Sequence, residues 1–177
     1  SSVRNKAQRM FLLALPKSED TEHLRAKACT IKAIATAFDQ LPTIREELLE
    51  RVDKIAATLV SAYHDHTNDT WQWFEDRLLY NNAILPESLF LAGQLLKNDE
   101  YLHIGKASMQ FLINETFSTN MYAPIGHSEW YKRNEKRSYF DQQPEDPAAM
   151  ILALVTISQI TGHASYKNLA LKCFSWF

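Results

Sequence analysis

Two tryptophans, a phenylalanine and two adjacent acids fall within six positions of the stretch "TWQWFEDRLLYNNAILPESL", residues 70 to 89. A second aromatic and acidic run follows at 122 to 146, with Tyr122, His127, Glu129, Trp130, Tyr131, Tyr139, Asp141, Gln142, Gln143, Glu145 and Asp146. Aromatic faces beside carboxylates and amides suit a sugar: the C–H face of a pyranose packs on a ring while its hydroxyls need placed polar partners. Glycoside hydrolysis needs two carboxyl groups, one to protonate the leaving oxygen and one to activate water or attack. Glu75 and Asp141, one from each run, are the expected catalytic pair. The expected substrate-binding residues are Trp73, Asn82, His127, Trp130, Tyr131, Gln142 and Gln143. Trp71, Trp73 and Phe74 have a competing role as plugs between neighbouring helices, and at least one of the three is expected to take it.

Other chemistries find less support. His64, Asp65 and His66 lack the i, i+4 spacing that puts two imidazoles on one helix face, so no metal site is expected and the run reads as a solvated helix end. No nucleophile elbow, phosphate loop or dinucleotide fingerprint occurs, and no cofactor is expected. Nineteen basic and 21 acidic residues, interspersed for a net charge of −2, leave no basic stripe to track a phosphate backbone, so nucleic acid is not an expected partner. No apolar run approaches the ~20 residues of a membrane span. The N-terminus lacks the apolar region of a signal peptide, and the expected setting is cytoplasmic. Cys29 and Cys173 sit inside apolar helical patterns and read as buried thiols rather than a disulfide.

The elements that must position these residues are helical. Only 4 glycines and 6 prolines occur in 177 residues, and apolar positions recur at helical spacing with almost no β-type alternation. The expected fold class is all-α, in one domain over residues 1–177, a length at which about 70% of the unfolded surface is typically buried. Helices of two kinds alternate. Segments 22–39, 83–97 and 147–161 are apolar around most of their circumference, and 43–64, 99–113 and 163–177 carry a single apolar stripe. Residues 1–15 read as a further outer helix whose partner lies elsewhere. Shifted by 65 positions, the last two pairs superimpose: Ala83 on Ala148, Leu89 on Leu154, Tyr101 on Tyr166, Phe111 on Trp176. This is an internal repeat of helical hairpins.

Enclosed helices alternating with amphipathic ones predict an α/α toroid, with an α-solenoid as the alternative. Three hairpins make an incomplete part of a six-hairpin ring, and the apolar flanks so exposed need further chain or a partner to cover them. Connections within hairpins are short, while those between hairpins, about 65–81 and about 116–146, are long. Both long connections are expected at the end where the inner helices begin, and long connections tend to carry function. Pro42, Pro86 and Pro147 mark helix starts, with Asp146 as an expected N-cap.

At "WQWFEDRLLYNNAILPESLFLAG" and "YAPIGHSEWYKRNEKRSYFDQQPEDPAAM" the sequence resembles the helical domain found alongside bacterial glycosyltransferases, in the six-hairpin glycosidase superfamily. The resemblance covers residues 70–177 and implies a carbohydrate-active toroid, with a glycosyltransferase or the missing part of the toroid as partner. It points to Trp73, Glu75, Asn82, Trp130, Tyr131, Asp141, Gln142 and Gln143 as site residues. Asn81 stands where the family pattern commonly has Asp, and Asp146 where it has Glu. Two further readings remain: a noncatalytic saccharide-binding or docking module, and a sugar isomerase or epimerase with His127 as base.

Overall fold

The computed structural model describes residues 2–119 and 121–177. Its fold class is all-α. Among the described residues there are seven α-helices: α1 (Ser2–Ala14), α2 (Leu24–Ala37), α3 (Arg45–His66), α4 (Ile84–Leu96), α5 (Asp99–Thr116), α6 (Glu145–Thr161) and α7 (Ala164–Phe174). The single sheet among these residues is a two-stranded antiparallel ribbon of β1 (Arg77–Leu78) and β2 (Tyr131–Lys132). Helix α2 packs against α3, α4 against α5, and α6 against α7, while α4 also touches α2, α3 and α6.

The helix ends follow local chemistry. Asn98 caps α5, its side chain accepting from the Glu100 and Tyr101 amides, which would otherwise lack partners. Gly162, at φ 74°, ends α6 in the left-handed region where glycine meets no Cβ penalty. Lys97 ends α4 in that same region at φ 54°. Lys97→Gly should therefore stabilise the fold by about 0.5–1 kcal/mol, read as a higher urea midpoint with an unchanged slope. A lower midpoint would show that the lysine side chain contributes more than its strain costs. Asp146 is not the N-cap of α6: Pro144 holds that position, and Asp146 lies inside the first turn with its carboxylate turned to His127.

The apolar stripe expected on the second helix is present, with Leu48, Val52, Ile55, Leu59 and Tyr63 of α3 all buried. Of the three helices expected to be enclosed, only α4 is covered around most of its circumference. On α2 the buried positions are Arg25, Ala28, Ile31 and Ile34, and Ala26, Cys29, Ala33 and Thr36 face solvent. On α6, Leu152 and Val155 are 57% and 37% exposed. The difference is one of neighbours: α4 is flanked on both sides, α2 and α6 on one. Helix α1 buries none of its residues.

One polar group joins the three helices. Glu87, buried on α4, accepts a hydrogen bond from Lys32 Nζ of α2 at 2.7 Å and from Thr156 Oγ1 of α6 at 2.8 Å. Both carboxylate oxygens are thus satisfied, the condition under which a buried charge is tolerated. The two cysteines are free. Cys173 is buried, and burial pushes its thiol up to about 12. Cys29 is exposed, contrary to the sequence expectation, because the side of α2 it occupies has no packed neighbour. Among the described residues, no helix is long and apolar enough to cross a membrane.

Candidate functional site

The two long connections, 67–83 and 117–144, meet. The ribbon pairs Arg77 with Lys132 and Leu78 with Tyr131. Beside it the Arg133 amide donates to the Asp76 carbonyl at 2.8 Å, and Arg133 Nη1 to the His66 carbonyl at 2.7 Å. Trp71 lies edge-on to Tyr131, with ring centroids 5.3 Å apart. A strand pair of two residues is too short to be stable alone. It is held here by burial of Leu78, one of its own residues, and of Trp71, which packs on Tyr131.

Arg25 of α2 organises the first connection. Its Nη1 lies 3.1 and 2.8 Å from the two carboxylate oxygens of Glu75, its Nε donates to the Tyr80 carbonyl at 2.5 Å, and its Nη2 donates to Asn82 Oδ1 at 3.2 Å. The guanidinium also lies over the Tyr80 ring, 5.1 Å from its centroid. Asn82 is buried and bonded through both ends of its amide, since Oδ1 also accepts from the Leu79 amide and Nδ2 donates to the Leu79 carbonyl. Arginine suits this place because its fixed fork of donors can meet a carboxylate and two neighbouring oxygens together.

The second connection carries a histidine–aspartate pair. His127 Nε2 lies 2.8 Å from Asp146 Oδ2, so the carboxylate orients the ring, and Nδ1 has no hydrogen bond among the described residues. The imidazole rests on Trp130, with centroids 4.2 Å apart. Trp130 in turn faces Tyr80 of the first connection at 6.3 Å. The His127 amide donates to the Asp141 carbonyl at 3.0 Å, which places Asp141 beside the pair. Glu75, Arg25, Tyr80, Trp130, His127 and Asp146 therefore form one chain of contacts across both connections.

The backbone of this region is unusual. Among the described residues, five other than glycine adopt positive φ, and four of them lie in the two connections: Asn81, Trp130, Asn134 and Asp141. Asparagine and aspartate tolerate that region, whereas for tryptophan it is costly, about 1–3 kcal/mol, and needs surroundings that enforce it. At Trp130 the enforcement is a pair of backbone bonds, its amide donating to Gly126 O and its carbonyl accepting from Ser138 N.

Burial pushes the Asp146 carboxyl above its ordinary value of 3.8, against the lowering effect of the His127 hydrogen bond. A carboxyl that holds its proton more tightly when folded supports the fold most in acid. That support is lost as pH rises from 3.8 through the raised folded value. Asp146→Asn cannot ionise, so its stability relative to wild type should improve as pH rises from 3.8 through the raised folded value. Urea unfolding of both proteins at several pH values would show it, and a constant difference would be the contrary result. Asp76, by contrast, is held below the usual carboxylate range, chiefly by its hydrogen bonds to Arg77.

The residues expected at the site separate into two groups. Glu75, His127, Trp130 and Tyr131 lie in the linked region and are partly exposed. Asp141 is exposed, and its carboxylate accepts from Gln143 Nε2 at 2.6 Å. Gln142 is turned away to the segment just after α7, where its Oε1 accepts from Trp176 Nε1. Asn82 is an internal anchor of the loop, and Trp73 is fully enclosed, its Nε1 without a hydrogen-bond partner. In this structure Trp73 therefore packs in the core and presents no ring face outward; its alternation with Gln72, which is exposed, turns it inward. The outward rings are Tyr80, Tyr139 and Phe140, at 44%, 59% and 79% exposure. Arg25 was missed as a site residue, though a lone arginine among the small residues of "EHLRAKACTIKAIATAFD" was the available signal.

Among the described residues, no group of three or more His, Cys, Asp or Glu side chains is placed to hold a metal ion. His66 Nδ1 lies 2.8 Å from the Ala62 carbonyl, and His64 lies 3.7 Å from Glu100. Comparison with protein-family models, curated proteins and solved structures finds no match to the chain.

Proposed function

We propose that this chain is a carbohydrate-active protein that takes a saccharide on the rim where the two long connections meet. The observation that carries the reading is the continuous chain of contacts from Glu75 through Arg25, Tyr80, Trp130 and His127 to Asp146. It sets exposed aromatic rings beside oriented carboxylate, imidazole and guanidinium groups, the combination a sugar's two kinds of surface need. The four positive-φ residues on the same loops fit a rim whose backbone is held for a ligand rather than for packing. The fold belongs to the same proposal. The packing of α2 with α3, α4 with α5 and α6 with α7, with α4 between α2 and α6, supports an arrangement of consecutive hairpins as in an α/α toroid.

Hydrolysis is the leading chemistry, with Glu75 and Asp141 as the carboxyl pair. The test is a panel of oligosaccharides assayed for binding and for turnover with wild type, Glu75→Gln, Asp141→Asn and Tyr80→Ala. Turnover abolished by either carboxyl change, with binding weakened by Tyr80→Ala, is the expected result. Binding without turnover by any of the proteins would make the chain a saccharide-binding module, with a glycosyltransferase as its natural associate. Absence of both would overturn the proposal.

The His127–Asp146 pair favours a second reading, isomerisation or epimerisation of a reducing sugar. His127 Nδ1 would take the proton from the carbon next to the carbonyl, and the resulting enediolate would be reprotonated on the other face or at the neighbouring carbon. Solvent deuterium entering the sugar at the reprotonated carbon, and lost in His127→Gln, is its signature. A sugar recovered without deuterium excludes it.

A further inference from the structure

A cleft of about 350 Å³ opens between the second and third hairpins, with α4 and α5 on one side and α6 and α7 on the other. It lies away from the rim. The rim sits where α6 begins and the cleft reaches Ile160 and Thr161 where α6 ends, so the length of that helix, about 24 Å, separates them. The floor is apolar: Phe90 is 2% exposed, and Leu102 and Ile160 are half-buried. Two polar rows border it. Asp99, His103 and Lys106 recur at i, i+4 and i+7 along one face of α5, and His163 and Tyr166 stand three apart where α7 starts.

The repeat shows what sets this junction apart. Tyr101 and Tyr166 correspond under the 65-position shift, and each lies against the hairpin that precedes it. At the first junction the tyrosine is sealed. The Tyr101 hydroxyl donates to Asp53 Oδ1 of α3 at 2.6 Å, and burial together with that bond pushes the phenol above its ordinary value. At the second junction α5 offers Leu102, His103 and Lys106 instead, and the Tyr166 hydroxyl has no hydrogen-bond partner among the described residues. The side chains of Asp99, His103, Lys106 and His163 are likewise unbonded among those residues. The turn that carries His163 is nevertheless fixed, its amide donating to Thr161 Oγ1 at 3.3 Å and its carbonyl accepting from Ser158 Oγ at 3.0 Å. Convergent polar groups with open hydrogen bonds, set on held backbone around a buried apolar floor, make a small-molecule site.

We propose that this cleft binds a small organic anion, a carboxylate or phosphate carried on a single apolar ring. Lys106, Tyr166 and the two imidazoles supply donors, and Asp99 is the one acid among the lining residues. Asp99 stands seven residues from Lys106, about 10 Å along the axis of α5, so the anion belongs at the Lys106 end beside His103. The ring rests on Phe90, Leu102 and Ile160. The volume is near the lower end for ligand sites, roughly 300–1,000 Å³, and admits one ring with its acid group but no oligosaccharide. Neither the rim nor the saccharide reading enters.

Titration of the protein followed through its histidine ring protons by NMR tests this. The probes are phenyl phosphate and 3-phenylpropionate, with inorganic phosphate and benzyl alcohol as controls that carry only the charge or only the ring. Each organic anion should shift His103 and His163 and leave His127, on the rim, unmoved. The tighter of the two identifies the acid group. Lys106→Gln, at an exposed position and with an unchanged helical spectrum, should weaken binding about fivefold, and Tyr166→Phe about threefold. Inorganic phosphate as tight as phenyl phosphate would reduce the cleft to surface charge. Benzyl alcohol as tight as the anions, or affinity indifferent to Lys106→Gln, would reduce it to an apolar hollow. Either result overturns the proposal. So would shifts confined to His127, which would place the probes on the rim, or no shift with either anion at about 10 mM.

Discussion

Gly126→Ala should destabilise the protein by about 2–4 kcal/mol and dislodge the imidazole of His127. A methyl group at this position would lie 2.1 Å from the Phe140 carbonyl oxygen, 2.6 Å from the Phe140 amide nitrogen and 2.8 Å from Ser138 Oγ. Two of the three obstacles are backbone atoms, which cannot swing aside as the end of a side chain can. The segments are also tied, the Gly126 amide donating to Ser138 O at 2.9 Å and the Gly126 carbonyl accepting from Trp130 N at 3.1 Å. Making room for the methyl breaks these bonds and, with them, the constraint that holds Trp130 at positive φ. Urea unfolding would give the energy, and the ring proton shifts of His127 would report the displacement. A loss below about 0.5 kcal/mol would mean that residues 138–140 yield freely and that this rim is not preorganised.

The second large effect belongs to Arg25. Arg25→Met keeps the length of the side chain and removes every donor, leaving Glu75, the Tyr80 carbonyl and part of Asn82 without their partner. Breaking a buried ion pair from one side costs about 3–5 kcal/mol because the other charge stays behind. The side chains of Arg25 and Glu75 are 10% and 24% exposed, so water relieves some of that charge and the lower end, about 3 kcal/mol, is expected. Adding Glu75→Gln to Arg25→Met should recover a measurable part of the loss, since an amide carries no charge to strand. The double-mutant cycle is the measurement. Strict additivity of the two changes would show that Arg25 contributes through the Tyr80 carbonyl and Asn82 rather than through Glu75, and that Glu75 is not positioned by it.

The positions of the helices were legible because helical periodicity is a local property. Leu48, Val52, Ile55 and Leu59 recur at a spacing that only one backbone geometry brings onto one face, whatever else the chain does. The long connections were legible for the same reason, as the places where the periodicity stops. That they meet was expected from the antiparallel order of the hairpins, and β1 and β2 are the observed junction. The ribbon itself was not foreseen, because two residues cannot show an alternation.

Within the connections, residue type alone determined which chemistries were available: rings, carboxylates, amides and one imidazole. It did not determine which way each side chain turns. Trp73 and Tyr80 are both large aromatic residues on one loop, and the first is enclosed while the second is 44% exposed. Asp146 was read as a cap and is instead the partner of His127, because the loop carrying His127 folds back over the first turn of α6. Arg25 meets Glu75 across 50 positions of sequence. Burial, pairing and the rise in the Asp146 carboxyl depend on distances between segments remote in sequence, and those distances exist only once α2, α4 and α6 have packed. Composition and spacing therefore determined the all-α class and the candidate groups, and tertiary packing alone decided which of those groups face outward together.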